Sequence, residues 1–115
     1  MKDTMLACRI HAKDDLRIEP VDMPSPGPGE VLLKVKACGV GLTVVNACTG
    51  KSGPMRNRVP GHEIAAVVAE TGAGGTLFKP GDRVLVYFYL TCDHCKWCRR
   101  GRNSLWDNLR RQTGH

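Results

Sequence analysis

The chain has 115 residues, enough for one domain with a hydrophobic core, and its 42% hydrophobic and 24% charged residues are ordinary values for a globular protein. It carries a net charge of +6. No apolar run is long enough for a signal peptide or a membrane span, so we expect a cytoplasmic protein with reduced cysteines and no membrane partner.

Turn residues and short apolar runs predict a mainly β fold, because 13 glycines and 7 prolines provide frequent turns. We expect a β-hairpin, a half-buried strand with apolar residues at alternate positions, a short helix, a buried strand and a last strand. Thr43 is predicted to cap the helix and Gly50 to end it. The predicted elements are, in chain order, Met5–Ile10, Leu16–Val21, Glu30–Cys38, Thr43–Cys48, Ile64–Ala69 and Val84–Leu90.

Three cysteines form two overlapping C-x-x-C units near the end of the chain, at Cys92, Cys95 and Cys98. A C-x-x-C turn lets two sulfurs reach one metal, and structural Zn²⁺ takes four such ligands in a tetrahedron. The spacing therefore predicts most of a structural zinc site. A redox-active cysteine pair and ordinary loop cysteines are the alternatives.

The same region is basic, since residues 92–115 carry six Lys and Arg against two Asp. A basic metal-binding loop suggests a nucleic-acid binder, and a solvated loop whose charge thiolates partly offset is the alternative. We expect the solvated loop, and no nucleic-acid partner.

Two smaller motifs bear side chains that could do chemistry. His62 and Glu63 open the predicted buried strand, where a histidine beside an acid fits either a metal ligand with a supporting carboxylate or a hydrogen-bonded structural residue. Thr43 follows the Cys38–Leu42 turn and fits a helix cap.

The order of these motifs is more specific than any of them alone. It runs C-G-V from Cys38, then Thr43, G-H-E from Gly61, K-P-G-D-R-V from Lys79 and C-x-x-C-x-x-C-R-x-G-R from Cys92. Over nearly all 115 residues this set resembles the N-terminal, GroES-like catalytic domain of zinc-dependent alcohol dehydrogenases, in the medium-chain dehydrogenase/reductase superfamily.

The resemblance implies a GroES-like, partly open β-barrel over residues 1–115, with one or two short helices and a cysteine-rich zinc lobe at about 91–112. In the full enzymes this domain is joined to a Rossmann domain that binds NAD or NADP. A catalytic zinc there favours the alkoxide of a small alcohol, and hydride passes between the alcohol or carbonyl carbon and the nicotinamide.

Residue by residue, the resemblance makes His62 a ligand of the catalytic zinc and Glu63 the acidic residue beside it. Thr43 becomes the hydroxyl that relays the alcohol proton. The resemblance also matches three of the family's four structural-zinc cysteines to Cys92, Cys95 and Cys98.

The chain departs from the family pattern at four positions. Gly41 stands where the family has its first catalytic-zinc cysteine, so we expect catalytic zinc binding at His62 to be weak. Val44 replaces a supporting acid and Ala66 a usual glycine. Trp106 replaces the fourth structural cysteine, and we take Asp107 as the first choice for that ligand. Its alternatives are His94, His115 and water.

The expected function is that of a fragment of a zinc-type NAD(P)-dependent alcohol dehydrogenase, inactive alone. Gly72-Ala73-Gly74 is not a dinucleotide fingerprint, because Leu77 takes the place of the third glycine. Two alternatives remain open: a domain of a zinc-free quinone or enone reductase of the same superfamily, and a non-enzymatic, self-associating GroES-like module. The sequence also leaves homo-oligomer formation open.

Overall fold

A computed structural model describes residues 3–89 and 91–102 of the chain. These residues form five strands, one α-helix (α1) and one short 3₁₀ helix, and the mainly β prediction is confirmed. The elements are β1 Thr4–Ala12, β2 Asp15–Asp22, β3 Val31–Cys38, α1 Leu42–Cys48, β4 Ile64–Thr71, β5 Arg83–Val86 and the 3₁₀ helix Cys98–Arg100. In the described part of the chain, no helix has the length and apolar character needed to span a membrane.

Strands β1 and β2 form the predicted antiparallel hairpin. Its turn contains Asp14 in the left-handed region, at φ 58°, a conformation that a short polar side chain tolerates. Ile10 of β1 is 1% exposed, and its N–H donates to the carbonyl oxygen of Arg58 at 2.8 Å. This bridge connects the hairpin to the loop that precedes β4.

The other three strands form an antiparallel sheet in the order β3-β4-β5. The central strand β4 contains Ala66 and Val68, which are 3% and 2% exposed, so the predicted buried strand is confirmed. On β3 the predicted half-buried face is found only at its start, because Val35 is 55% exposed. The β3–β4 register shifts between Leu32 and Leu33 and again between Val35 and Ala37, so the two strands do not keep one register along their length.

The last strand ends earlier than predicted, at Val86 rather than Leu90. Val86 pairs with Ile64, which is the first residue of β4, so the ladder has no partner for the next residue. The following side chains pack ring against ring, and the Phe88 and Tyr89 ring centroids lie 4.2 Å apart. Leu90 lies outside the described residues.

The N-cap prediction for the helix was wrong. Gly41 is the N-cap of α1, and its carbonyl oxygen accepts hydrogen bonds from the N–H groups of Val44 and Val45 at 3.1 and 3.2 Å. Thr43 therefore lies in the first turn rather than before it. The predicted end agrees with the structure, since Gly50 follows the C-cap with φ +77°.

Candidate functional site

The three lobe cysteines lie together as their spacing predicts. The Sγ atoms of Cys92, Cys95 and Cys98 all fall within 4.8 Å of one another, and Cys98 Sγ is 4.0 Å from Cys92 Sγ and 3.5 Å from Cys95 Sγ. The backbone N–H of Cys95 donates to Cys92 Sγ at 3.3 Å, and that of Cys98 donates to Cys95 Sγ at 3.4 Å. Each C-x-x-C turn thus directs an amide at the preceding sulfur, which stabilises a thiolate.

Local backbone geometry produces this arrangement. Asp93 has φ 61°, which turns the chain between the first two cysteines, and Thr91 donates its hydroxyl to the Asp93 carboxylate at 2.9 Å. After the 3₁₀ helix, Gly101 is left-handed at φ 70°, and its N–H donates to the carbonyl oxygen of Cys98 at 3.0 Å. The loop is therefore closed by its own hydrogen bonds at both ends.

The three thiols are not electrostatically equivalent. A hydrogen bond from the backbone of His94 lowers the pKa of the Cys92 thiol. Burial raises the pKa of the Cys98 thiol. We therefore expect Cys92 to ionise before Cys98 and a bound metal to displace the proton from Cys98.

The lobe fits a zinc ion, because three clustered sulfurs, two of which accept amide hydrogen bonds, supply three of the four tetrahedral ligands. The fourth ligand is not among the described residues that gather there, and the ring of His94 does not join the group. Asp107, together with Trp106 and His115, lies outside the described residues.

Two of the predicted catalytic residues lie at the end of the sheet where β4 begins and β5 ends. His62 and Glu63 immediately precede β4, and both line a cavity of about 500 Å³. The His62 ring centroid is 5.1 Å from that of Phe88. The remaining lining is apolar and comes from the ends of β3, β4 and β5 and from the segment after β5: Ala37, Ile64, Ala65, Leu85, Val86 and Phe88.

Thr43 is placed differently from the histidine and the glutamate. It is exposed in the first turn of α1 and does not line this cavity. Its part in proton relay stays a prediction.

The Glu63 side chain lies against two glycines that precede the helix. The Gly39 N–H donates to the carbonyl oxygen of Glu63 at 2.9 Å, which fixes the two segments to each other. A Cβ atom added at Gly41 would lie 2.9 Å from Glu63 Oε1, and one added at Gly39 would overlap Glu63 Oε2. The carboxylate thus fills the space in which a side chain at position 41 would begin.

These residues do not fit the catalytic zinc of the family. Gly41 contributes no donor atom, and within the described residues the cysteine trio is the one group of three or more metal-ligating side chains brought within 4.8 Å. His62 and Glu63 are not part of such a group.

Sequence reasoning missed two residues that shape this site. Phe88 contacts His62. The sequence placed Phe88 in a predicted strand, and the pattern of that strand did not indicate a contact with the histidine. Gly39 borders the Glu63 carboxylate, and the available signal was the repeated glycine in Gly39-Val40-Gly41, since alternate residues of an extended segment face the same side.

Comparison with known proteins agrees with the fold. Residues 27–115 match the alcohol dehydrogenase GroES-like domain family. An alcohol dehydrogenase from Geobacillus stearothermophilus is 39% identical over 97 residues, which cover 81% of this chain and 28% of that protein.

Among solved structures, a cobalt- and zinc-bound thermostable alcohol dehydrogenase from Pyrobaculum aerophilum superposes with a TM-score of 0.84 at 36% identity, over 93% of this chain and 33% of that one. Acetophenone reductase from Geotrichum candidum, in complex with NAD, gives a TM-score of 0.81 at 29% identity, over 93% of this chain and 32% of that one. The chain spans about a third of these proteins or less, and the superpositions confirm the GroES-like, partly open barrel with its cysteine lobe. The chain belongs to the alcohol dehydrogenase GroES-like domain family, and its relatives are alcohol dehydrogenases of the zinc-dependent medium-chain type.

Proposed function

We propose that this chain is the catalytic-domain part of an NAD(P)-dependent oxidoreductase that interconverts a small alcohol and its aldehyde or ketone. The observation that carries this proposal is the match to dehydrogenases over 81% of the chain in sequence and 93% in structure. The cavity supports it, because an apolar lining with His62 and Glu63 as its polar residues suits a small organic substrate with one oxygen.

Each polar residue has a proposed role in that reaction. His62 and Glu63 face the cavity and orient the substrate oxygen. The Thr43 hydroxyl moves the proton of the alcohol oxygen. NAD or NADP supplies the hydride chemistry when bound to a Rossmann domain, and we propose that the 115 residues turn over no substrate by themselves.

A chimera tests this function. Residues 1–115 would replace the matching segment of the Geobacillus stearothermophilus alcohol dehydrogenase, which is close enough in sequence to make the exchange reasonable. We expect NAD(P)H-dependent turnover of at least one member of a panel of alcohols, aldehydes, ketones and enones, and a large loss of kcat/KM in His62→Ala. A folded chimera that is inactive toward the whole panel would contradict the proposal.

We further propose that Cys92, Cys95 and Cys98 hold a structural zinc ion, with Asp107 as the fourth ligand. The three clustered sulfurs and their amide hydrogen bonds support this assignment. The ion would cross-link a loop that is otherwise held by a short 3₁₀ helix and a few hydrogen bonds.

Metal content per chain tests the lobe. We expect one zinc ion to be lost in Cys92→Ser and kept in Cys38→Ser, since Cys38 is a free cysteine that is not in the cluster. Asp107→Ala should weaken zinc retention against a chelator. Zinc that survives in Cys92→Ser would refute the site, and unchanged retention in Asp107→Ala would refute that ligand.

A self-associating, non-enzymatic module is the second candidate, because several large apolar side chains are exposed. Leu85 is 84% exposed, Val40 75% and Leu42 72%. Association, including a homo-oligomer, would cover such side chains. Light scattering on the isolated chain decides this, and a clean monomer at high concentration counts against it.

The protein is proposed to act in the cytoplasm without a nucleic-acid partner. Trp97, the aromatic residue best placed to stack on a base, is half-buried, and the Lys96 ammonium stands 4.9 Å from its ring centroid. An oligonucleotide titration at low salt should show no binding, and salt-sensitive binding there would contradict this view.

A further inference from the structure

We infer that the cavity beside His62 is a metal-free site, in which the Glu63 carboxylate occupies the place of the missing zinc ligand. This inference goes beyond the proposed function and does not depend on it, because it concerns the donor atoms of the site and not turnover.

Two glycines on one side of an extended segment make room for the carboxylate. Gly41 has φ −84° and ψ 178°, which is extended backbone, so positions 39 and 41 face the same way. Val40 between them is 75% exposed. Both glycines approach the Glu63 carboxylate so closely that a Cβ atom at either position would meet it.

The two positions differ in how readily they would accept a side chain. At Gly41 the nearest atom is Glu63 Oε1, the end of a flexible side chain, and the next is Cδ at 3.9 Å. At Gly39 the obstacle includes Glu63 Cβ at 3.1 Å, which is fixed to the backbone. A cysteine at position 41 is therefore compatible with the fold once the carboxylate rotates, and the native glycine is what denies the site a thiolate.

The donors that remain are too few for tight binding. With the glycine in place, the site offers one imidazole and one exposed carboxylate, and no third donor from the described residues joins them. The lobe shows the contrast, because three sulfurs meet there within 4.8 Å. A divalent transition metal should therefore bind the lobe and leave the cavity free.

Cobalt substitution tests the inference on the 115-residue protein. Co²⁺ would be titrated into metal-free protein, with metal counted per chain and cobalt–thiolate absorption recorded. We expect wild type and His62→Ala to bind the same amount of cobalt with the same spectrum. Gly41→Cys should bind one more ion with added thiolate absorption, the double variant Gly41→Cys/His62→Ala should lose that ion, and Gly41→Ala should gain none.

The outcomes are decisive whatever the lobe binds, because the readout is a difference between variants. A cobalt ion present in wild type and lost in His62→Ala would overturn the metal-free assignment. No gain in a folded Gly41→Cys protein, checked by circular dichroism, would overturn the assignment of the loss to Gly41. Neither result depends on activity, so the failure of this inference and an inactive chimera are distinguishable.

Discussion

Replacing Gly72 by alanine should destabilise the fold strongly, because the glycine lies against the backbone of another loop. A Cβ atom at position 72 would overlap the carbonyl oxygen of Gly27, and it would lie 2.7 Å from Gly27 C and 3.2 Å from Pro26 O. These atoms belong to the proline-rich loop at 24–29, so no side-chain rotation can relieve the overlap. The two backbone segments must separate.

Separation would break the hydrogen bonds that join the segments. The Gly72 N–H donates to the carbonyl oxygen of Glu30 at 2.8 Å, and the Gly29 N–H donates to that of Ala73 at 2.9 Å. Two hydrogen bonds at about 1 kcal/mol each, with overpacking strain of about 1–3 kcal/mol, give a loss of about 3–5 kcal/mol in the free energy of unfolding. That is a large share of the roughly 5–15 kcal/mol that stabilises a typical domain.

Urea unfolding followed by circular dichroism measures this loss, with Gly41→Ala as the matched control. The control makes the same chemical change, but its new methyl group meets only the mobile end of Glu63. Alanine is a poorer N-cap than glycine, but it also restricts the unfolded chain, and these two effects nearly cancel. The free energy of unfolding of Gly41→Ala should therefore change by less than about 1 kcal/mol. Equal losses in the two variants, or a loss below about 1 kcal/mol in Gly72→Ala, would refute the reasoning.

Three further predictions use the same measurement. Gly39→Ala should cost more than Gly41→Ala, because the Cβ of Glu63 cannot move aside as its carboxylate can. Val68→Ala should cost about 2–3 kcal/mol, since the side chain is 2% exposed, while Val35→Ala at 55% exposure should cost much less. Hydrogen bonds from the backbone and side chain of Lys79 lower the pKa of Asp82 below 3.8. These hydrogen bonds therefore stabilise the fold above pH 3.8, and that stabilisation is lost as the pH falls through the lowered pKa. Between about pH 5 and about pH 3, the free energy of unfolding should fall less in Asp82→Asn than in wild type.

Each of these three has a clear contrary result. Equal stability of the two glycine variants would mean that the Glu63 backbone yields to a methyl group. Equal losses in the two valine variants would mean that the buried Val68 side chain contributes no more stability than the exposed Val35 side chain. An acid profile that is unchanged in Asp82→Asn would assign the acid sensitivity to other carboxylates.

The elements with local signals were predictable from the sequence. The hairpin and the buried strand β4 were both found, because turn residues and an apolar run determine them locally. The predicted face of β3 does not extend to Val35, which is 55% exposed although it pairs in register with β4. The end of β5 was missed because β4 begins at Ile64. Exposure of Val35 is set by what packs over it and the end of β5 by its partner strand, and the pattern of a single strand shows neither.

The capping error has a different cause. Thr43 is a favoured capping residue, but the Gly41 carbonyl accepts the first helical hydrogen bonds, two residues earlier. The peptide following Gly39 must stay extended for the glycines to face Glu63, and the helix can begin only after that constraint ends at Gly41. Tertiary contact with the β4 entrance thus overrides the local preference.

The two candidate metal sites differ in how their ligands are brought together. In the lobe, donors at intervals of three residues are positioned by their own turn hydrogen bonds, so the spacing alone predicted the cluster that the structure shows. At the cavity, position 41 and His62 belong to segments joined by the pairing of β3 with β4 and by the Gly39–Glu63 hydrogen bond. A glycine at position 41 leaves that scaffold intact while removing a donor, so the fold at the cavity can persist when metal binding is lost. In the lobe, by contrast, the ligand residues themselves form the turns, so the local fold and the ligand positions depend on the same residues.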